Sequence, residues 1–118
     1  MMELAHLEGD FLLKGTNQDA EKSTYEGTLN LSLRSDGGLN AVWRINPDQM
    51  QYGVGFFKND MLVINFNYLG DNEVVYYGVV AYSCTNPDAL TGIWSEEAGN
   101  AKYVGEEIAV RINPSFKA

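Results

Sequence analysis

Apolar and polar residues alternate with a period of two in short runs separated by Gly, Asn, Asp and Pro clusters, and no long segment keeps a 3.6-residue apolar repeat. The pattern predicts an all-β chain. The clearest run is Tyr25 to Arg34, in which Tyr25, Gly27, Leu29, Leu31 and Leu33 share one face. Ser35-Asp36-Gly37-Gly38 then supplies residues that tolerate a positive φ, and Leu39, Ala41, Trp43 and Ile45 alternate in the next strand. Asn46-Pro47-Asp48 breaks the pattern. Tyr52 to Phe57 resumes it, Lys58-Asn59-Asp60 turns, and Met61 to Tyr68 runs back. After the loop Leu69-Gly70-Asp71-Asn72, strands are expected over Val74 to Ser83, Leu90 to Ser95 and Val104 to Ile112, with Asp10 to Gly15 as the first. In the N-terminal segment, residues 1–8, Leu4 and Leu7 form at most one apolar turn that plugs an end.

About eight sequential strands with short connections leave two exposed edges, which closure of the first strand onto the last removes. The expected architecture is a single domain over residues 1–118, an eight-stranded antiparallel up-and-down β-barrel. A two-sheet sandwich needs a long connection across one end, and the sequence contains none.

Composition narrows the function classes. The 118 residues are 45% hydrophobic and 20% charged, enough to bury a core, and the formal net charge of −8 opposes phosphate backbones and anionic lipid. No nucleic-acid partner is expected. No run approaches a membrane span, and Met1-Met2-Glu3-Leu4 lacks the basic and apolar regions of a leader, so no membrane partner and a cytoplasmic location are expected. One cysteine, Cys84, builds neither an internal disulfide nor a cysteine-rich zinc site.

Gly9-Asp10-Phe11 opening the first strand and Arg111 near the end of the last resemble the calycin superfamily of lipocalins, fatty-acid-binding proteins and avidins. There a Gly-x-Trp packs against a basic residue of the last strand, so the resemblance implies a lipocalin- or avidin-like barrel closed at its base by a cation over an aromatic face. Phe11 stands where the family has Trp, which makes a poorer cation-π partner. A wider likeness, to small bacterial barrel proteins, runs through Tyr25-Glu26-Gly27, Gly53-Val54-Gly55, Gly78 to Tyr82, Leu90 to Trp94 and Gly105 to Arg111. It implies the fold and brings no activity.

Alternation places Tyr25, Leu29, Leu31, Trp43, Tyr52, Phe56, Tyr76 and Trp94 near the barrel axis. Tyr25, Trp43, Tyr52, Tyr76 and Trp94 are the candidate contacts for a small apolar or aromatic ligand. The bland alternative is a filled core, because eight strands enclose barely more room than their own side chains occupy. Gly9, Phe11, Glu107 and Arg111 are the candidate barrel-closing residues, with Glu107 and Arg111 four apart on one face. Up-and-down order gathers Asp19, Glu21, Asp48, Asp71, Glu73, Glu96 and Glu97 on the rim opposite the termini, against only Lys22 and Lys102. Such a mouth favours neutral or cationic ligands, while a solvated acidic surface is the plainer reading. No calcium-loop pattern, metal cluster or cofactor motif is present, and Gly53-Val54-Gly55 lacks the helix a dinucleotide loop needs. The sole histidine, His6, lies in a segment expected to fray, so no His-dependent triad is expected, and Cys84 reads as an inert thiol. Val75, Tyr77, Val79, Phe57 and Ile93 fall on the outer side, which predicts a homo-oligomer. The resulting expectation is a non-enzymatic ligand-binding barrel. The alternatives are an acidic interaction or inhibitor module and, by fold analogy, a lipocalin-like isomerase or cyclase.

Overall fold

The computed structural model describes residues 2–46 and 48–112; Met1 of the N-terminal segment and Pro47 of the Asn46-Pro47-Asp48 break lie outside them. A 3-10 turn, Leu4–Leu7, precedes β1 Gly9–Thr16, β2 Thr24–Leu33, β3 Leu39–Ile45, β4 Gln49–Lys58, β5 Met61–Leu69, β6 Val75–Asn86, β7 Ala89–Glu96 and β8 Gly105–Arg111. Each strand pairs antiparallel with its neighbour in sequence, and β1 closes onto β8 from Phe11↔Arg111 to Thr16↔Glu106. The result is a closed up-and-down barrel without a free edge. Turn chemistry fixes the register: Asn59 and Asp60, at φ of 53° and 60°, make the two-residue link between Lys58 and Met61. No helix among the described residues is long and apolar enough to cross a membrane.

The base half of the lumen is filled. Leu7, Phe11, Leu29, Leu31, Leu39, Leu62 and Leu90 have essentially no exposure, and burying each such side chain stabilises by about 1.5–3 kcal/mol. The N-terminal segment is docked rather than frayed, because Arg111 reaches beneath it. Its guanidinium donates to the carbonyls of His6 (2.6 Å), Glu8 (2.7 Å) and Pro87 (2.9 Å) and pairs with Asp88 at 2.8 Å. It also lies 4.7 Å from the centroid of the Phe11 ring. A side chain at Gly9, whose φ is 140°, would collide with this guanidinium. Gly9, Phe11 and Arg111 therefore meet at the barrel base. Glu107 does not join them, because four residues along an extended strand span about 13 Å, and Asp88 rather than Glu107 is the partner of Arg111.

The phase of β4 differs from the sequence reading. Gly53 and Gly55 face inward, whereas Tyr52 and Phe56 stand outside at 51% and 57% exposure, and Phe57 packs against the core. The inward glycines leave room for bulk from neighbouring strands: a Cβ at Gly53 would lie 2.6 Å from Ile64 Cγ2 and 3.0 Å from Trp43 Cζ3. Outside, Tyr52 pairs with Asn67 and Asn67 with Tyr77, while Val54 pairs with Asn65 and Asn65 with Val79. The outer face of β4–β6 thus presents apolar and amide side chains with no charge among these positions.

Candidate functional site

The rim half of the barrel encloses a cavity of about 190 Å³, lined by Asn17, Tyr25, Trp43, Ile45, Gln49, Gln51, Phe66, Tyr68, Val80, Tyr82, Trp94, Glu96 and Glu107. The core is therefore filled at the base and open toward the acidic rim. Larger hollows lie on the outer wall, one where Gly15 and Gly92 thin the sheet and one over Leu12, Ile108 and Val110. Both are open to solvent.

The cavity is built around Glu107, midway along β8. In the ladder Glu107 is flanked by Gly15 on β1 and Gly92 on β7, and beyond these glycines stand Tyr25 on β2 and Tyr82 on β6. One row around the barrel thus reads Tyr25, Gly15, Glu107, Gly92, Tyr82. Lacking side chains, the glycines let both phenol rings lean across them to the carboxylate. A Cβ at Gly15 would collide with Tyr25 Cζ, and one at Gly92 would lie 2.7 Å from Tyr82 Cδ1. Tyr25 Oη donates to Glu107 Oε1 at 2.6 Å, Tyr82 Oη donates to Oε2, and Trp43 Nε1 donates to Tyr82 Oη at 3.2 Å.

Burial is the main cause that raises the carboxyl pKa of Glu107, and the hydrogen bonds from Tyr25, Tyr82 and Trp43 pull the other way. Desolvation, with Glu107 next, drives both phenols far above the ordinary tyrosine range, so they remain donors at any physiological pH. Glu107 is 6% exposed, and among the described residues the cavity lining contains no Lys, Arg or His.

Aromatic rings wall the rest. Trp43 meets Phe66 edge to face at 5.9 Å, Phe66 meets Trp94 at 6.3 Å, and Tyr25 meets Trp94 at 6.3 Å. Trp94 crosses Gly105 as Tyr25 crosses Gly15. Its Nε1–H lies near the Tyr25 phenol, yet it is buried without an acceptor in hydrogen-bond geometry among the described residues. At the mouth Tyr68 Oη donates to Glu96 at 2.5 Å, and Tyr76 stacks on Tyr68 at 5.4 Å. Gln18 fastens one side of the rim: its Nε2 donates to Ser95 Oγ (3.0 Å) and Tyr103 O (2.8 Å), and its Oε1 accepts from Glu96 N (2.9 Å).

Of the residues expected to contact a ligand, Tyr25, Trp43 and Trp94 line the cavity, Tyr76 backs its mouth through Tyr68, and Tyr52 lies on the outer wall. Glu107, expected at the base, is the polar centre of the cavity. Glu96, expected on the acidic rim, lines the cavity as well, whereas Phe66, Tyr68 and Tyr82 were not anticipated. Phe66 and Tyr68 share the alternation of Leu62 and Ile64, and Tyr82 that of Gly78 and Val80, so strand parity alone could have found them. Cys84 is buried below the cavity network, and burial pushes its thiol up to about 11.

No protein-family model matches the chain. No curated protein matches its sequence. Solved structures do match it in shape. A redesigned β-barrel, b11L5F_LGL, superposes with a TM-score of 0.77 at 14% identity, over 92% of this chain and 94% of that one. The barrel EF1p2_mFAP2b, described bound to DFHBI, gives 0.73 at 16% identity over 92% and 95%. The redesigned barrel mFAP1, also bound to DFHBI, gives 0.70 at 18% identity over 92% and 96%. At these identities the likeness establishes the fold, an eight-stranded up-and-down barrel.

Proposed function

We propose that this protein is a barrel that binds a small aromatic molecule in the rim-side cavity, between Trp43, Phe66, Tyr68 and Trp94 and above the Tyr25–Glu107–Tyr82 row. The observation that carries the reading is a rim-side cavity with two polar demands that no described residue fills: the Trp94 Nε1–H lacks an acceptor and the Glu107 carboxylate lacks a cation. A core built only for stability has no use for either. Its volume of about 190 Å³ exceeds the roughly 150 Å³ of an apolar cavity that takes up benzene, so the occupant is a one-ring or fused two-ring compound. That two barrels of this shape are described bound to DFHBI supports the reading. Both tryptophans of the chain line the cavity, so a fluorescence titration against a library of small aromatic compounds tests it. Saturable quenching is expected; no response from any compound would refute it.

A second reading draws on the same carboxyl. A buried glutamate with a raised proton affinity beside a cavity suits proton transfer, as an isomerase or cyclase requires. Turnover abolished by Glu107→Gln would favour it over binding alone.

The outer face of β4–β6 supports association with a second copy. Tyr52, Val54, Phe56, Tyr77 and Val79 are between 41% and 57% exposed, and three half-exposed aromatic rings alone leave on the order of 300 Å² of apolar surface. With Asn65, Asn67 and Ile93 the face approaches the ~800 Å² per partner of a standard interface. On a chain of net charge −8, an uncharged face is where a second copy meets least repulsion.

A further inference from the structure

We infer that the molecule held in the cavity is a small organic cation, a protonated amine on an aromatic body, with its ammonium group against Glu107. The inference rests on the cavity being a ligand site and adds the charge of the occupant. Glu107 is 6% exposed, and the side-chain donors that face it, Tyr25, Tyr82 and Trp43, are all neutral. A carboxylate offers about four lone-pair positions, and the two phenols occupy one on each oxygen. Even with Trp43 counted, at least one position is left for an N–H group of an ammonium.

A lone buried charge is expensive to maintain, and a positive partner offsets that expense most directly. No described residue of the cavity lining supplies one: the thirteen described lining positions include two carboxylates, Glu107 and Glu96, and no basic side chain. The walls suit the same ligand, because the ring faces of Trp43, Phe66 and Trp94 attract cations through their quadrupoles. The mouth suits it as well. Asp19, Glu21, Asp48, Asp71, Glu73, Glu96 and Glu97 on the rim connections outnumber Lys22 and Lys102, and their summed field raises the local concentration of cations and lowers that of anions.

The test is an isothermal titration of the full chain at neutral pH with three ligands of one shape: 2-phenylethylamine, 2-phenylethanol and phenylacetate. The amine is expected to bind on the order of tenfold tighter than the alcohol, and the alcohol tighter than the acid. In Glu107→Gln the ratio of amine to alcohol affinity should fall to near one, with near-UV circular dichroism verifying the fold. Because the wild-type series is decisive by itself, the test does not depend on the variant. An alcohol that binds as tightly as the amine overturns the cationic occupant while leaving the aromatic-ligand reading intact. Silence from all three ligands, and from the wider aromatic library, overturns both.

Discussion

Tyr25 reaches Glu107 across a strand that lies between them, its hydroxyl donating to Oε1 at 2.6 Å over the bare backbone of Gly15. Tyr82 does the same from the other side over Gly92. A long phenol spans two strand spacings, about 10 Å between strand axes, only if the intervening residue has no side chain. The glycines are therefore part of the polar site, and substitutions there act on it without touching a titratable group.

Gly15→Ala places a methyl group against Tyr25 Cζ and Oη and against the Glu106 carbonyl. Overpacking of this kind costs about 1–3 kcal/mol. We expect a lower urea midpoint with an unchanged slope. The second-site change Tyr25→Phe should not restore the wild-type midpoint, because it leaves Glu107 short of a donor.

The pH dependence follows from Glu107. Its folded pKa lies above the 4.5 of an exposed glutamate, so between 4.5 and the raised value the folded protein holds a proton that the unfolded chain has released. Its contribution to stability is fully present below 4.5 and is lost as pH rises through the folded pKa. Glu107→Gln keeps the shape, and its carboxamide can accept from one phenol and donate to the other. The variant should be more stable than the wild type at neutral pH by about 1–2 kcal/mol, with a flatter stability profile above pH 4.5. Thermal unfolding at several pH values checks this; a variant that is less stable at pH 7 would count against a strained carboxylate.

Arg111 ties the last strand to the N-terminal segment and to Asp88. Arg111→Ala removes the ion pair, three carbonyl contacts and the stacking on Phe11, and we expect a loss of about 2–4 kcal/mol. Because three of these contacts hold the 3-10 turn and the β6–β7 link, limited proteolysis should cut the variant first within residues 2–8, before the rim loops.

If copies of the chain associate through β4–β6, Tyr77→Asp places a charge at the centre of the uncharged face. Sedimentation should then show a shift to monomer with no change in monomer stability beyond about 0.5 kcal/mol. A wild type that is monomeric at high concentration would refute the association.

The sequence made the barrel legible because alternation and turn chemistry act locally. The runs at Tyr25 to Arg34 and Leu39 to Ile45, with Ser35-Asp36-Gly37-Gly38 between them, became β2, β3 and their hairpin with little change of bounds. The phase of β4 was misread because Tyr52 and Phe56 carry the apolar bulk, while Gly53 and Gly55 look like spacers. The bulk that fills the space over those glycines comes from Trp43 and Ile64, on two other strands. The sequence puts Glu107 on one strand face with Arg111, but its partners are 82 and 25 residues away. Their approach depends on the register of five strands together, which no local pattern records.

The indole region of a ¹H–¹⁵N correlation spectrum reads occupancy of the cavity, since the chain has two tryptophans and both line it. On titration with a small aromatic amine, both indole resonances should shift along one saturable curve as the ligand's ring packs between Trp43 and Trp94. Indole resonances that stay fixed while amides on the outer strand faces move would contradict the account, because the ligand would then be binding to the wall and not within it.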